Sequence, residues 1–259
     1  MVDIMNQTYS IVPYPGKEVL VFNQPEHLLD FLIHTWRTLA EEAVADRGFF
    51  SAALSGGSTP VKFYRKLAHA ESLPWDKTHI FMVDERFVPF DHRDSNYCMI
   101  NETLLSNINI PSQNIHPVVT SDIRAEDSAA GYEKKIMSFF HITEGEVPVF
   151  DLILLGIGED GHTASLFPES DVLKESLHLA VNTAPSGSHS HERITITLPA
   201  INNAGNILFI ATGRGKAHIV REILTSRNST LPAAFVSPLR GRLYFILDKE
   251  AASLLTGKE

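Results

Sequence analysis

Short apolar segments that alternate with helix-like segments constrain the fold of this 259-residue chain more than any other feature. Several of them are apolar throughout, as strands are when helices cover both faces of a sheet. The predicted strands are Glu18–Phe22, Phe49–Leu54, His79–Val83, Asp151–Leu155, His178–Val181, Arg193–Thr197, Ile207–Ala211 and Leu243–Leu247. The predicted helices are Pro25–Asp46, Pro60–His69, Asn96–Leu105, Ala125–Phe140 and Lys216–Thr225. This alternation predicts an α/β fold, with a parallel or mixed sheet between two layers of helices.

Composition narrows the class of protein. The hydrophobic content of 44% suits a globular protein with a sizeable core, and we expect residues 1–259 to form one domain. Acidic side chains outnumber basic ones, 31 to 22, and no cluster of Lys and Arg marks a face that would bind nucleic acid. No apolar run approaches the roughly 18 residues that span a bilayer. With one cysteine and no visible signal peptide, the sequence predicts a cytoplasmic protein without membrane or nucleic-acid partners, either a monomer or a small homo-oligomer.

Polar or glycine-rich turns follow four of the predicted strands. In sheets of this kind, ligands bind beyond the carboxyl ends of the strands. We therefore expect the four turns to meet at one edge of the sheet and to form the functional site. They are Ser55–Pro60, Asp84–Arg86, Gly156–Thr163 and Thr212–Lys216.

The turn after Leu155 matches the pattern G-x-G-x-x-G at residues 156–161, which by itself indicates a dinucleotide-binding loop. That interpretation needs a carboxylate at the end of the next strand to hold a ribose, and residues 181–183 supply none. Glu159 and Asp160 also place negative charge where a pyrophosphate would approach. The sequence therefore disfavours a nucleotide-binding function for this turn.

Two other turns are better suited to an anion. Gly56 and Gly57 let the backbone approach a ligand, and the N–H groups and hydroxyls of Ser58 and Thr59 precede a predicted helix start near Pro60. The alternative is an ordinary turn in which Ser or Thr caps the helix. Lys216 is predicted in the first turn of another helix, where a cation is unfavourable unless it shares a bound anion. A solvated lysine is the alternative there.

His162 and Asp160 are candidates for acid–base chemistry. A histidine held on a turn at a strand end is a suitable general base near neutral pH, although it could equally be one of 12 histidines on a surface loop. The charges of Asp84–Arg86 could form a simple ion-paired strand exit, and Asp94 or Ser95 could cap the following helix.

No metal site is predicted. His189 and His191 lie in residues 186–191, a stretch typical of a surface loop, and they have no evident set of partner ligands. Closure of this loop over the site is a hypothesis only.

Six motifs follow one another along the chain: LSGGSTP at 54–60, VDERFVP at 83–89, DHRDSNY at 91–97, GIGEDGHTASLFP at 156–168, RITIT at 193–197 and TGRGKA at 212–217. In this order they resemble the 6-phosphogluconolactonase branch of the glucosamine-6-phosphate isomerase/6-phosphogluconolactonase family. The resemblance covers the chain from about residue 18 onward and implies the family's Rossmann-like three-layer fold, of the glucosamine-6-phosphate deaminase/ribose-5-phosphate isomerase type.

The resemblance implies hydrolysis of 6-phospho-D-glucono-1,5-lactone to 6-phosphogluconate, without a metal or another cofactor. It implies that His162 is the base, that Asp84 and Arg86 belong to the catalytic site, and that Asp160 and Gly161 lie beside the substrate. The implied phosphate-binding residues are Gly56, Gly57, Ser58, Thr59, Arg193 and Lys216. The donor to the oxyanion remains open between Arg86 and backbone N–H groups.

Phe167 separates the two branches of this family. The isomerase/deaminase pattern has a glutamate five residues after the histidine, and this chain has Phe167 there. Lactone hydrolysis is therefore favoured over the first alternative, a glucosamine-6-phosphate isomerase/deaminase. The second alternative is a non-catalytic sugar-phosphate sensor, which is disfavoured because no spare segment for an output region is evident and because His162 and the phosphate-binding turn are both present.

Overall fold

The computed structural model describes residues 8–121, 123–187, 190–226 and 228–255. Within these ranges, the strands are β1 (Tyr9–Tyr14), β2 (Lys17–Phe22), β3 (Phe50–Leu54), β4 (Thr78–Met82), β5 (Asp84–Arg86), β6 (Ile115–His116), β7 (Leu152–Leu155), β8 (Ala180–Thr183), β9 (Arg193–Ile196), β10 (Asn206–Ala211) and β11 (Arg242–Asp248). The α-helices are α1 (Pro25–Arg47), α2 (Ser58–Ala68), α3 (Asn96–Thr103), α4 (Ala125–Phe140), α5 (Leu198–Asn202) and α6 (Ala217–Thr225).

Eight strands form the main sheet in the order β1-β2-β11-β10-β7-β3-β4-β6. All neighbouring pairs are parallel except β1 and β2, which form an antiparallel hairpin at one edge. The predicted mostly parallel α/β fold is thus confirmed.

Aromatic side chains show how helices cover both faces of this sheet. Phe50 and Phe81 lie on adjacent strands but point to opposite faces, because Phe81 pairs in register with Ala53, three residues after Phe50. Phe50 contacts Trp36 of α1 with ring centroids 5.2 Å apart, and Phe81 contacts Phe139 of α4 at 5.1 Å. Burying these rings on the two faces joins three layers into one hydrophobic core.

Strands β5, β9 and β8 form a separate antiparallel sheet. The sequence predicts a single parallel or mixed sheet, whereas β8 and β9, two of the predicted strands, belong to this second sheet. Burial alone misleads here, because β9 is buried throughout, like a central parallel strand. The strand predicted at His178–Val181 begins at Ala180 instead, since the N–H groups of His178 and Leu179 donate to the side chains of Glu175 and Glu133.

The sequence does not predict β1, β5, β6 or α5. Strand β5 has three residues, all charged, strand β6 has two residues, and helix α5 has five. Strand β1 has six residues, but Ser10 and Pro13 interrupt its apolar run and none of its residues is buried. Two helix starts also differ from prediction. Helix α2 begins at Ser58 rather than Pro60, and Lys216 ends a 3₁₀ turn directly before α6 instead of lying inside that helix.

The connections out of β3 and β7 diverge at the middle of the sheet. Strand β3 leads to β4 on one side, and β7 leads through the small sheet to β10 on the other. A crevice opens at such a topological switch point, beyond the carboxyl ends of the strands. The four turns predicted to form the site follow β3, β4, β7 and β10, which are neighbours in the sheet.

Candidate active site

A cleft of about 260 Å³ lies at this switch point, and all four predicted turns contribute to it. It is open to solvent at one side and has a mixed polar and apolar wall. The lining residues are Ser55, Gly56, Gly57, Ser58, Thr59, Pro60, Asp84, Arg86, Asn96, Gly156, Ile157, Gly158, His162, Ala164, Arg193 and Lys216.

The amino end of α2 forms one wall of the cleft. Gly57 is the N-cap residue, with a φ of 97°, and within the described part of the chain no side chain caps the helix. Ser58 and Thr59 therefore lie in the first helical turn rather than before it, which removes the capped-turn alternative. Gly57, Ser58 and Thr59 line the cleft, and the helix dipole together with the uncapped N–H groups makes this position favourable for an anion.

The turn after β7 holds His162 against Asp160. His162 Nδ1 lies 2.5 Å from Asp160 Oδ1, and the same oxygen accepts a hydrogen bond from the His162 backbone N–H at 3.1 Å. Partial burial acts to raise the pKa of Asp160, but its bonds with His162 prevail and lower it below the ordinary value. Asp160 therefore remains a carboxylate at neutral pH and fixes the orientation of the imidazole.

Gly158 explains the glycine pattern of this turn. A Cβ atom at residue 158 would lie 2.0 Å from His162 Nδ1 and 2.5 Å from Asp160 Oδ1. Gly161 has a φ of 81° and packs against Leu231. Gly158 thus makes room for the His162–Asp160 pair and Gly161 allows a tight turn, which accounts for two of the three glycines of the G-x-G-x-x-G match without a nucleotide.

Asp84 is buried, and its carboxylate is held from several sides. Oδ2 accepts a 2.6 Å hydrogen bond from Ser165 Oγ and lies 3.7 Å from Arg193 Nη1, while Oδ1 accepts from Asn96 Nδ2 at 3.2 Å. These contacts join β5 with the loop that follows β7, the first residue of β9 and the start of α3. Asp84 is thus ion-paired with Arg193 at the wall of the cleft, while the catalytic roles of Asp84 and Arg86 stay predictions.

Arg193 lies at the base of the cleft, 5% exposed, with its Cζ atom 5.4 Å from the centre of the Phe167 ring. Burial lowers the pKa of Arg193, with Asp84 opposing that shift, yet a guanidinium remains charged at neutral pH. The same Phe167 ring lies 4.9 Å from the His162 ring. One buried aromatic side chain thus supports both the candidate base and a buried cation.

Lys216 reaches the cleft from the turn after β10. The carboxylate of Asp248, at the end of β11, accepts hydrogen bonds from Gly213 N at 2.9 Å and from Ala251 N at 2.7 Å. These bonds anchor the turn that carries Lys216. Together with Arg86 and Arg193, Lys216 gives this cleft three basic side chains, in a chain whose net charge is −9.

Comparison with known proteins places this arrangement in a family. The model of the family "Glucosamine-6-phosphate isomerases/6-phosphogluconolactonase" matches residues 23–245. The chain belongs to this family. A 6-phosphogluconolactonase of Synechocystis sp. is 41% identical over 243 residues, covering 93% of this chain and 98% of that protein.

Solved structures agree with this assignment to the glucosamine-6-phosphate isomerase/6-phosphogluconolactonase family. The 6-phosphogluconolactonase of Thermotoga maritima is 35% identical with a TM-score of 0.78. The match covers 90% of this chain and 100% of that protein. The 6-phosphogluconolactonase of Trypanosoma brucei is 33% identical with a TM-score of 0.83, and the match covers 95% of this chain and 100% of that protein. These relatives belong to the lactonase branch that the sequence resembles.

The residues that carry the family resemblance have different positions around the cleft. Most of the predicted site residues line it, whereas Asp160 contacts His162, and Gly161 packs against Leu231. The catalytic and binding roles assigned to all of these residues, Asp160 and Gly161 included, stay predictions.

Glu85, Asn96 and Ser165 are structural members of the site to which sequence reasoning gave no role. Asn96 Nδ2 donates to the backbone oxygen of Asp84 at 2.9 Å, and a Cβ at Gly56 would lie 1.8 Å from Asn96 Oδ1. All three residues lie within the motifs quoted above, and this was the one feature of the sequence that pointed to them. Their contacts join residues 10 to 81 positions apart, which one sequence does not reveal.

Glu85 is fully buried between Asp84 and Arg86 in β5. Burial raises the pKa of its carboxyl group to about 7, although hydrogen bonds from three backbone N–H groups act to lower it.

Ser95 caps α3, since its Oγ accepts a hydrogen bond from Cys98 N at 3.1 Å. This is one of the two caps, Asp94 or Ser95, that the sequence predicts.

The region of residues 186–191 is described only in part, because residues 188 and 189 lie outside the described ranges. The predictions about His189 and about loop closure fall there. His191 Nε2 lies 3.0 Å from Asp94 Oδ2. Among the described residues, no group of three or more His, Cys, Asp or Glu side chains is arranged to hold a metal ion. Nor is any helix in these ranges long and apolar enough to cross a bilayer.

Proposed function

We propose that this chain hydrolyses 6-phospho-D-glucono-1,5-lactone to 6-phosphogluconate, the lactone-opening step of the pentose phosphate pathway. The observation that carries the proposal is the His162–Asp160 pair at a cleft that is also lined by the uncapped start of α2. A base and an anion-binding turn on one cleft suit a substrate with a reactive carbonyl and a phosphate group. The names of relatives that match over nearly the whole chain support the same activity.

The 6-phosphate is bound by the first turn of α2. Backbone N–H groups of Ser58 and Thr59 and their hydroxyls donate to phosphate oxygens, and Lys216 and Arg193 supply positive charge. Holding the phosphate fixes the distance between the lactone carbonyl and His162, which lowers the entropic part of the barrier.

His162 acts as the general base. Its Nδ1–H donates to the Asp160 carboxylate, so that the lone pair of the neutral imidazole is on Nε2. Nε2 removes a proton from water as the oxygen attacks C1, giving a tetrahedral oxyanion and an imidazolium that Asp160 stabilises. When the bond between C1 and the ring oxygen breaks, the imidazolium returns its proton to that leaving oxygen.

The oxyanion needs a donor, and Arg86 is our candidate. Its guanidinium lies at the cleft wall, where Nη1 donates to the Asp94 carbonyl at 2.6 Å. This bond holds the planar group in place before substrate arrives, as oxyanion stabilisation requires. Asp84 acts differently: because Ser165, Asn96 and Arg193 occupy its carboxylate, we assign it a positioning role.

Phe167 supports lactone hydrolysis over isomerisation and deamination. The position at which the deaminase pattern has a glutamate is occupied by a buried aromatic ring in contact with His162. A second carboxylate for ring-opening chemistry is therefore not supplied by residue 167.

The test is hydrolysis of freshly generated lactone, measured against its spontaneous rate. We expect wild type to accelerate it and His162→Ala to lower kcat by roughly 10²–10⁴-fold, the usual contribution of general acid–base catalysis. Lys216→Ala should instead raise KM with a smaller effect on kcat, because it removes binding that is shared by ground and transition states.

Matched controls are His69→Ala, at the exposed far end of α2, and Lys134→Ala, exposed on α4. Both should leave kcat and KM unchanged. If wild type does not exceed the spontaneous rate, the proposed function is wrong, and turnover of glucosamine 6-phosphate then tests the isomerase/deaminase alternative.

A further inference from the structure

A buried carboxylate lies behind the cleft wall without lining it. Glu85 is completely inaccessible to solvent, and it alternates in β5 with Asp84 and Arg86, whose side chains line the cleft. Successive residues of a strand point to opposite faces, so Glu85 points away from the cleft. It nevertheless contacts two residues that line the cleft, Arg86 and Asn96, and so helps to fix their positions.

Each carboxylate oxygen of Glu85 accepts two hydrogen bonds. Oε1 accepts from the backbone N–H groups of Arg86 and Asn96, both at 2.7 Å. Oε2 accepts from Tyr97 N at 2.7 Å and from Ser95 Oγ at 3.1 Å. Four donors from β5 and from the start of α3 thus occupy both oxygens of the Glu85 side chain.

Side chains reinforce the same junction. Arg86 Nη1 donates to Asp94 O at 2.6 Å, and Asn96 Nδ2 donates to Asp84 O at 2.9 Å. Strand β5 and residues 94–97 are therefore joined in both directions, with Glu85 between them. A small shift of this junction would move the Arg86 guanidinium and the Asn96 amide together.

We propose that Glu85 is a positioning residue for the reaction in this cleft, one that fixes the Arg86 guanidinium by clamping β5 to the start of α3. This inference rests on the proposed lactonase function. A purely structural carboxylate would affect the stability of the fold, whereas a positioning carboxylate also affects kcat, because catalytic geometry is sensitive to displacements of about 1 Å.

The test compares Glu85→Gln, Arg86→Lys and the double variant with wild type in the lactone assay. Glutamine keeps the shape but turns an amide N–H₂ group toward N–H and O–H donors, so it disrupts the clamp. We expect kcat to fall at least tenfold with KM changed less than threefold. In the double variant the two losses in kcat should not multiply, since both changes act on the same guanidinium.

The matched control is Asp151→Asn. Asp151 also accepts a backbone N–H, that of Ser51 at 2.8 Å, but it precedes β7 at the opposite end of the sheet from the cleft. It should lower the unfolding temperature while leaving kcat unchanged. Glu85→Asp retains a carboxylate and should restore part of kcat; it also serves as the test variant if Glu85→Gln does not fold.

Assays are run well below the unfolding temperature of each variant, with circular dichroism as the check on folding. Unchanged kcat in a folded Glu85 variant, or losses that multiply with Arg86→Lys, would overturn the positioning role. Absence of lactone hydrolysis by wild type would instead overturn the proposed function, and this inference with it.

Discussion

Asp160 Oδ1 binds His162 twice, once through the ring Nδ1 at 2.5 Å and once through the backbone N–H at 3.1 Å. One oxygen therefore fixes both the orientation of the ring and the conformation of the turn that carries it. The neighbouring Phe167 ring, 4.9 Å away, supports the imidazole from another side. This preorganisation distinguishes His162 from an ordinary histidine on a surface turn.

Asp160→Asn should lower kcat by about 10² or more with little change in KM. The amide can offer N–H to Nδ1 and stabilise the wrong tautomer, and it lacks the charge that stabilises the imidazolium. The pKa of Asp160 is lowered in the folded protein. The stability that its ionised carboxylate contributes is therefore complete above the ordinary carboxyl pKa, and it is lost only as pH falls through the lower folded pKa. Asp160 should therefore not create a step in the activity profile between pH 5 and 8. Asp171→Asn, on an exposed carboxylate paired with Lys174, is the control; equal kcat values for the two variants would contradict the assigned role.

Gly158→Ala should remove most of the catalytic activity while lowering the stability of the fold to a smaller extent. The new Cβ would lie 2.0 Å from His162 Nδ1, so the imidazole has to move. A displacement of about 1 Å can reduce a rate roughly 10²-fold. The readouts are kcat and the unfolding temperature. Gly131→Ala, in α4 with open space around the new methyl group, should keep full activity and increase helix stability. Wild-type kcat in Gly158→Ala would show that the ring position is not critical.

The sequence predicts the parallel strands and the four site turns well, because fully apolar strands and glycine-rich strand ends are local signals. His162 and Asp160 are predictable for the same reason, being two residues apart. Glu85 is different: its partners Asn96 and Tyr97 are 11 and 12 residues away and reach it only through the fold. The separate sheet of β5, β9 and β8 also depends on pairing between distant segments, which a burial pattern does not specify.

Phe167→Leu should reduce kcat by about tenfold and destabilise the fold by roughly 1–2 kcal/mol, as a smaller side chain leaves unfilled volume in a packed core. The ring is 1% exposed and supports both His162 and Arg193, so its loss loosens the base and a buried cation together. Phe150→Leu is a matched control, equally buried but packed on Phe140 and Phe81 away from the cleft. It should lower stability with wild-type kcat. Equal effects of both variants on kcat would contradict a specific role for Phe167.

Acid should destabilise the fold through a histidine pair far from the candidate base. His79 Nδ1 lies 3.1 Å from His116 Nε2, and the His116 ring stacks on Phe81 at 4.1 Å. Burial, with a smaller effect from His79, lowers the pKa of His116 to about 4, and burial lowers that of His79 as well. Both groups take up protons more readily in the unfolded chain, so stability is retained above the unfolded pKa of 6.5 and lost as pH falls toward 4.

His116→Gln should remove much of this loss. For His116 alone the maximum is about 3 kcal/mol, and we expect less because solvent reaches part of the side chain. The measurement is urea unfolding of wild type and variant at several pH values from 7.5 to 4.5, with His69→Gln, on an exposed residue, as the control. Wild type and the control should lose free energy of unfolding in parallel, and His116→Gln should lose less. Three parallel curves would show that protonation of His116 does not drive the loss of stability between pH 7.5 and 4.5.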